Sequence, residues 1–445
     1  MTETTMRKFH GTSGSQVFPL HQDMLRLRKD TPSFLRTYRL HAWEVYNQLP
    51  LPTTREEAWR RTDLRNMDVA RFRFNGISRR LPEIPSIFLR PSQVKRESGR
   101  LALASDGSVQ RVFSEQLNQQ GVVFTDLLTA EEEYPQLLEQ VLGKVVRPEE
   151  SKFAAMSAAF AHNGVFIYIP RGVQVEQHLH SVLWAGAEDR EAAFSHSIIW
   201  VDEGASLTYV HESISPKHKH GQTLHAGTVE IIVGQAASLR LVEVQSWGLQ
   251  MWNFTHARAE VQQDGQLDWN IAAIGSHLSK SFASVDLSQP GGTARMAGLY
   301  FTDGIQHIDI DTQQNHLAPH TTSDLLFKGA LKGQSHAVWR GKIYVAPQAQ
   351  KTDGYQANRN LVLSPQARAD SIPGLEILAN DVRCTHGATV GKLDPEQIFF
   401  LQARGIPLPE ARRLIVEGFF EAVIQRIPEE EIRHQLQRII IQKMH

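Results

Sequence analysis

The sequence predicts a mainly β protein, a coil of parallel strands set between helical N-terminal and C-terminal parts. Three observations carry this. From Gly164 onward the text becomes a long succession of short β segments broken by Gly, Asp and Pro. Within it a strand–tight turn–strand unit recurs, its second strands starting at Leu207, Leu239 and Leu267, 32 and 28 residues apart. After Leu393 the apolar spacing changes to that of short amphipathic helices. A two-strand rung cannot bury its apolar face alone, so rungs of such a period stack into a parallel β-helix. A β-sandwich would also give many short strands and is the structural alternative, but the quasi-repeat favours the β-helix.

Taken in order, residues 1–150 read as a mainly helical N-terminal domain with a mobile tail, 151–392 as the β core and 393–445 as a C-terminal helical domain. Residues from about 20 to 68 have patchy helical spacing interrupted at Pro32, and Thr53 or Thr54 can cap a short helix over Glu56–Arg60. From about 69 to 112 the text is mixed. A helix is expected near Ala130–Leu142 and another after Pro148, through Phe153, Met156 and Phe160.

In the core, Val165–Ile169, Ile198–Val201, Leu207–Val210, Val229–Val233 and Leu239–Val242 are strand-like. Ala259–Val261 and Leu267–Asn270 continue the series, and Pro290-Gly291-Gly292 marks a further turn before Met296–Phe301. At the C-terminal end Asp394-Pro395 starts one helix, Pro409-Glu410 a second and Pro428 a third. The second carries Ala411, Leu414, Ile415, Ala422 and Val423 in one stripe, the third Ile432, Leu436, Ile439 and Ile440. Three such helices form a cap or a docking surface, or simply pack on the core.

The 445 residues hold 47 Lys plus Arg and 48 Asp plus Glu, for a net charge of −1. That balance, without a long basic run, argues against nucleic acid or an anionic membrane as the main partner. No apolar run approaches the roughly 18 residues of a membrane span. The start, Met1–Gln16, is polar and lacks a signal-peptide core, so the expected location is the cytoplasm. A single cysteine excludes a disulfide framework and cannot supply the four thiolates that usually hold an iron–sulfur cluster.

That cysteine is the centre of the candidate chemistry. In Asp381-Val382-Arg383-Cys384-Thr385-His386-Gly387 the thiol and imidazole stand at i and i+2, on one face of an extended strand. Together they offer a metal one soft and one borderline ligand. The competing reading of a lone strand cysteine is a small buried hydrophobe.

Three other patterns weigh less. The histidines number 20, among them His178-Leu179-His180 at strand spacing and His218-Lys219-His220 in a loop. His316 and His320 have i, i+4 spacing, but Pro319 breaks a helix there. Asp309 and Asp311 share a strand face, as an acid–base pair on a β-helix wall would, against the simpler reading of a solvated face. Gly387-Ala388-Thr389-Val390-Gly391-Lys392-Leu393 is one residue short of a phosphate loop and has Leu where it needs Ser or Thr, so any ATP binds another chain.

The text from Thr321 onward resembles a known family. Thr321-Thr322-Ser323-Asp324 is followed by Lys328-Gly329-Ala330-Leu331, Arg340-Gly341-Lys342-Ile343-Tyr344-Val345 and Ala349-Gln350-Lys351-Thr352-Asp353-Gly354-Tyr355-Gln356. Then come Asn360-Leu361-Val362-Leu363, the Cys384–Gly391 motif and Gln397-Ile398-Phe399-Phe400-Leu401. Earlier, Ser151-Lys152-Phe153-Ala154-Ala155 and Gly164–Val173 agree. This resembles the SufB/SufD family of iron–sulfur cluster assembly proteins over most of residues 150–425. Within it the text is nearer the SufD branch. SufB tends to carry His-Glu-Ala in the Cys384 motif and a further cysteine upstream, where this chain has Arg368-Ala369-Asp370-Ser371.

The resemblance implies a right-handed parallel β-helix between helical domains, acting as a scaffold and not an enzyme. It implies a complex with SufB, joined at the strand ends, and with two copies of the ATPase SufC. Cys384 and His386 would face SufB at a shared, transient iron–sulfur cluster, His386 being the better choice as ligand or proton handler. The C-terminal helices, about 394–427, would contact SufC, and a homodimer of the isolated chain stays open. Two rivals remain: a carbohydrate-active β-helix enzyme using Asp309 and Asp311, and a purely structural SufC-docking subunit.

Overall fold

The structure is a computed structural model. It describes residues 17–74, 99–105, 107, 109–161, 163–186, 188–216 and 221–444. The expected mobile tail, the text over 75–98 and the His218–His220 pair lie outside these residues.

Strands alternate between two sheets, so that each pair of consecutive core strands makes one turn of a parallel β-solenoid of about eight turns. Strands are numbered in chain order. One sheet holds β1 (Gly99–Ala104), β2 (Val109–Phe113), β5 (Leu179–Trp184), β7 (Ser206–Ile214), β9 (Ser238–Ser246) and β11 (Gln266–Ala273). It continues through β13 (Thr293–Thr302), β15 (Thr322–Leu331), β17 (Thr352–Val362) and β19 (Val382–Lys392). The other holds β3 (Val123–Asp126), β4 (Val165–Ile169), β6 (Ala192–Val201), β8 (Thr223–Val233) and β10 (Met251–Val261). It continues through β12 (Leu278–Leu287), β14 (His307–His316), β16 (His336–Val345) and β18 (Arg368–Ile377).

The repeat read in the sequence is a physical column. Leu207, Leu239 and Leu267 are register partners on β7, β9 and β11, all pointing into the lumen. What fixes the period is a corner. At the seven corners that lead from β4, β6, β8, β10, β12, β14 and β16 to the next first-sheet strand one residue adopts positive φ: Gly172, Gly204, Ala236, Asp264, Gly291, His320 and Lys351. From Gly204 on, each of their amides donates to a carbonyl of the next turn, as Ala236 does to Gln263 at 2.8 Å and His320 to Gln350 at 2.9 Å. His320 is therefore a corner residue, as Pro319 required, and forms no pair with the buried His316.

Both outer faces are covered. Helices α1 (Ser33–Gln48) and α5 (Lys152–Phe160) lie on the second sheet through Phe153, Met156 and Phe160 against Phe194, Phe254 and Trp252. Phe153 stacks on Phe254 at 3.7 Å between ring centroids. The C-terminal helices α7 (Leu408–Ile424) and α8 (Glu430–Met444) cover the first sheet, where Val416, Phe420, Leu436 and Ile440 meet Val242, Val244, Leu299 and Phe301. Among the described residues no helix is long and apolar enough to cross a membrane.

Several local expectations are corrected. In the 20–68 stretch α-helix occupies only Ser33–Gln48, beside single 3₁₀ turns at Gln22–Met24 and Glu57–Trp59, because Pro32 sets its start and Leu49-Pro50 ends it. Thr53 and Thr54 cap nothing; Glu57–Trp59 is a single 3₁₀ turn with Glu56 before it. The helix at Ala130–Leu142 is two, α3 (Leu127–Glu133) and α4 (Pro135–Val141), parted at Pro135, which cannot donate to the turn before it. On α7 the buried stripe runs through Val416 and Phe420, and Leu414 faces out. The N-terminal third also supplies the short helix α2 (Glu115–Gln119) and the strands β1, β2 and β3, which extend both sheets.

Candidate functional site

The solenoid ends at β18 and β19, whose outer edges no strand covers among the described residues. Here the lumen columns arrive at the candidate pair. The leucine column continues Ala294, Ser323, Gly354, Cys384; the column beside it runs Tyr209, Leu241, Trp269, Met296, Leu325, Gln356, His386. The two side chains thus share a face, as their i, i+2 spacing predicted, and that face is the lumen side. His386 is exposed only because no further rung lies above it. The shrinkage from Leu to Ala, Ser and Gly leaves room for the thiol: a Cβ on Gly354 would lie 3.2 Å from Cys384 Sγ.

Cys384 is half-buried and packs with Ile343, Val345 and Ala379. Burial pushes its thiol up, the Gly354 backbone amide pulls it back and the Asp353 carboxylate raises it again. The sulfur is thus a protonated thiol at neutral pH, not an activated thiolate. Among the described residues no group of three His, Cys, Asp or Glu side chains gathers in a way that would hold a metal. Cys384 and His386 on their own do not make up such a group.

Around them the edge is apolar and charged in alternation. Leu375, Ile377, Leu378 and Val390 are exposed, with Leu378 at 51% and Val390 at 50%. Ion pairs ladder the outer faces of the last rungs: Lys342–Glu376 at 2.6 Å, Arg383–Asp353 at 3.6 Å and Lys351–Asp381. Beyond β19, helix α6 (Pro395–Gln402) begins at Asp394, whose carboxylate accepts from the Glu396 amide. It holds Phe399 and Phe400 in the open, at 72% and 54% exposure.

The other sequence candidates lie elsewhere. Asp309 and Asp311 are neither a solvated face nor a free acid–base pair. Lys280, itself fully buried, reaches Asp309 at 2.8 Å and Asp311 at 3.9 Å, and Thr62 also donates to Asp309. The segment around Trp59 lies over them, tied down where Arg340 donates to the Glu57 carbonyl at 2.7 Å. Nothing local in the strand text announces this lid. His178 and His180 face α8, pairing with Glu429 at 3.2 Å and Glu212 at 2.8 Å. Gly387–Lys392 is the end of β19, a strand and no phosphate loop.

Fold and site together define a scaffold class: a parallel solenoid whose last described rung carries a cysteine and a histidine on one face. The comparisons with known proteins agree. Residues 183–419 match the family described as SUF system FeS cluster assembly, SufBD core domain, and residues 15–180 match the SufBD protein N-terminal region. The chain belongs to the SufB/SufD family. It is 28% identical over 418 residues to the iron–sulfur cluster assembly protein SufB of Bacillus subtilis, covering 90% of this chain and 88% of that protein. It is 28% identical over 419 residues to SufD of the same organism, covering 93% and 94%. A SufBD family protein of Staphylococcus haemolyticus is 26% identical over 420 residues, covering 90% and 88%.

Proposed function

We propose that this chain is the SufD-type scaffold of a cytoplasmic SufBCD complex, sharing a nascent-cluster interface with SufB and docking SufC through its C-terminal helices. It does no catalysis of its own. The observation that carries the reading is the uncapped last rung, which presents Cys384 and His386 at the mouth of the lumen between two unpaired sheet edges. An open edge is a template for strand addition, and the exposed leucines and Val390 supply apolar area to bury. The cluster is cargo. A ligand set split across an interface lets motion of either chain open it, and a partner's thiolates and carboxylates would complete it. Phe399 and Phe400 offer an aromatic anchor next to that edge of the kind docking surfaces use.

The apolar packing of Cys384 against Ile343, Val345 and Ala379 supports a narrower second reading, in which Cys384 only packs and His386 alone enters the cluster's ligand shell. Anaerobic cluster reconstitution on the co-expressed three-protein complex tests both, with gel filtration to follow assembly. His386→Ala is expected to lose most of the visible absorbance in an intact complex. Loss with Cys384→Ala as well brings the thiol into the shell. Full absorbance in both variants rejects the site and leaves a docking subunit.

A further inference from the structure

Midway along the solenoid the lumen is not filled. A cavity of about 80 Å³ lies between the sheets, with His211, Glu243 and Trp269 on one side and Ser195, His225 and Thr255 on the other. One water needs about 10–15 Å³ on this measure, so the space holds several. Glu243 is enclosed by protein, and the surface it keeps faces the cavity. Its Oε2 accepts from Trp269 Nε1 at 2.6 Å, while Oε1 has no partner among the described residues.

No lysine or arginine lines the space. The groups facing Glu243 are Tyr209 and His211 from β7, Trp269 from β11 and His225 across the lumen. Both imidazoles stay neutral, because burial holds them down at about 4. Their nitrogens are occupied: His211 Nδ1 meets Ser181 at 2.7 Å, and His225 lies between Ser195 at 2.9 Å and Asn253 at 2.7 Å. A cavity with a purely packing origin would be apolar or fully paired. This one leaves an acidic oxygen open and offers it no side-chain cation.

We propose that the lumen chamber binds one weakly hydrated monovalent cation of the potassium or ammonium class. The Glu243 carboxylate and the hydroxyls of Ser195, Ser213 and Thr255 hold it, with Trp247 and Trp269 in the surrounding wall. A monovalent ion of water's size fits a space built for a few waters, and an aromatic wall adds attraction without charge. Divalent ions are excluded by the single carboxylate, since they bind through several oxygens and release water reluctantly. The site stands apart from the cluster-assembly reading and does not depend on it.

Thermal unfolding of the full chain in about 0.1 M potassium, ammonium, sodium or tetramethylammonium chloride tests this. At about pH 8, where the carboxylate is ionised, potassium and ammonium are expected to raise the midpoint by about 2 °C over tetramethylammonium. The effect disappears at about pH 5.5 and in Glu243→Gln, which keeps the Trp269 hydrogen bond. Crystals grown in rubidium chloride give an anomalous peak beside Glu243. A midpoint blind to the cation at the higher pH, an unchanged response in Glu243→Gln, or a chamber holding only water overturns the proposal.

Discussion

Glu243 and the lumen histidines pull the pH dependence of stability in opposite directions. Burial raises the Glu243 carboxyl from 4.5 to about 7, so between those values the folded chain keeps a proton that the unfolded chain has released. Its contribution falls as pH rises through that window, by on the order of 3 kcal/mol, and is flat above it. His211 and His225 are held at about 4 against 6.5, so their contribution is lost as pH falls from 6.5 toward 4. In a buffer free of potassium and ammonium, Glu243→Gln is expected to abolish the first decline and leave the second. Denaturant titrations across that range measure it.

Lys280 is the other buried charge that matters. Asp309→Ala leaves the buried ammonium only the longer pair with Asp311 and is expected to cost about 2–4 kcal/mol, whereas Lys280→Met with Asp309→Leu recovers most of that loss. Urea midpoints of the two variants check it. The shared face of Cys384 and His386 was legible because spacing along a strand fixes it. The fate of Asp309 and Asp311 was not, because the residues that neutralise and cover them come from distant strands and from the N-terminal segment.

At the scale of the element, the corners bear the repeat. Gly304 and Gly333 both have positive φ, but a Cβ on Gly304 meets nothing within 4 Å, while one on Gly333 comes to 2.8 Å from the Gly304 backbone. Gly304→Ala should cost about 1–2 kcal/mol for the left-handed conformation alone. Gly333→Ala should cost clearly more, since stacked corners cannot separate, and the difference between the two unfolding midpoints measures that close approach. Corners and lumen columns recur at one period, and that is why the solenoid was readable. Strands β1 and β2 were not, because β1 pairs with β5, a strand far along the chain, and their short text carries no period of its own. The helix start at Asp394-Pro395 was readable because it acts locally, whereas the break at Pro135 was passed over; the side of α7 that faces the core was not readable, since the solenoid surface decides it.

For the whole molecule, the two ends of the solenoid differ. At the first end each sheet turns back on itself, β2 antiparallel to β1 and β3 antiparallel to β4. At the other, β18 and β19 stop with Leu378 and Val390 open. Leu378→Lys with Val390→Lys should abolish association through that end while leaving the thermal midpoint of the lone chain within about 1 °C, since both side chains are exposed. Light scattering beside a melting curve reads both effects. The asymmetry also sets a limit on growth. A rod that can be extended at both tips polymerises, as cross-β stacks do; a rod with one blunt tip and one adhesive tip can only meet another adhesive tip. Two chains joined tip to tip through β18 and β19 would each use up that open end and turn the returned strands β2 and β3 outward, so growth by that contact alone would stop at two.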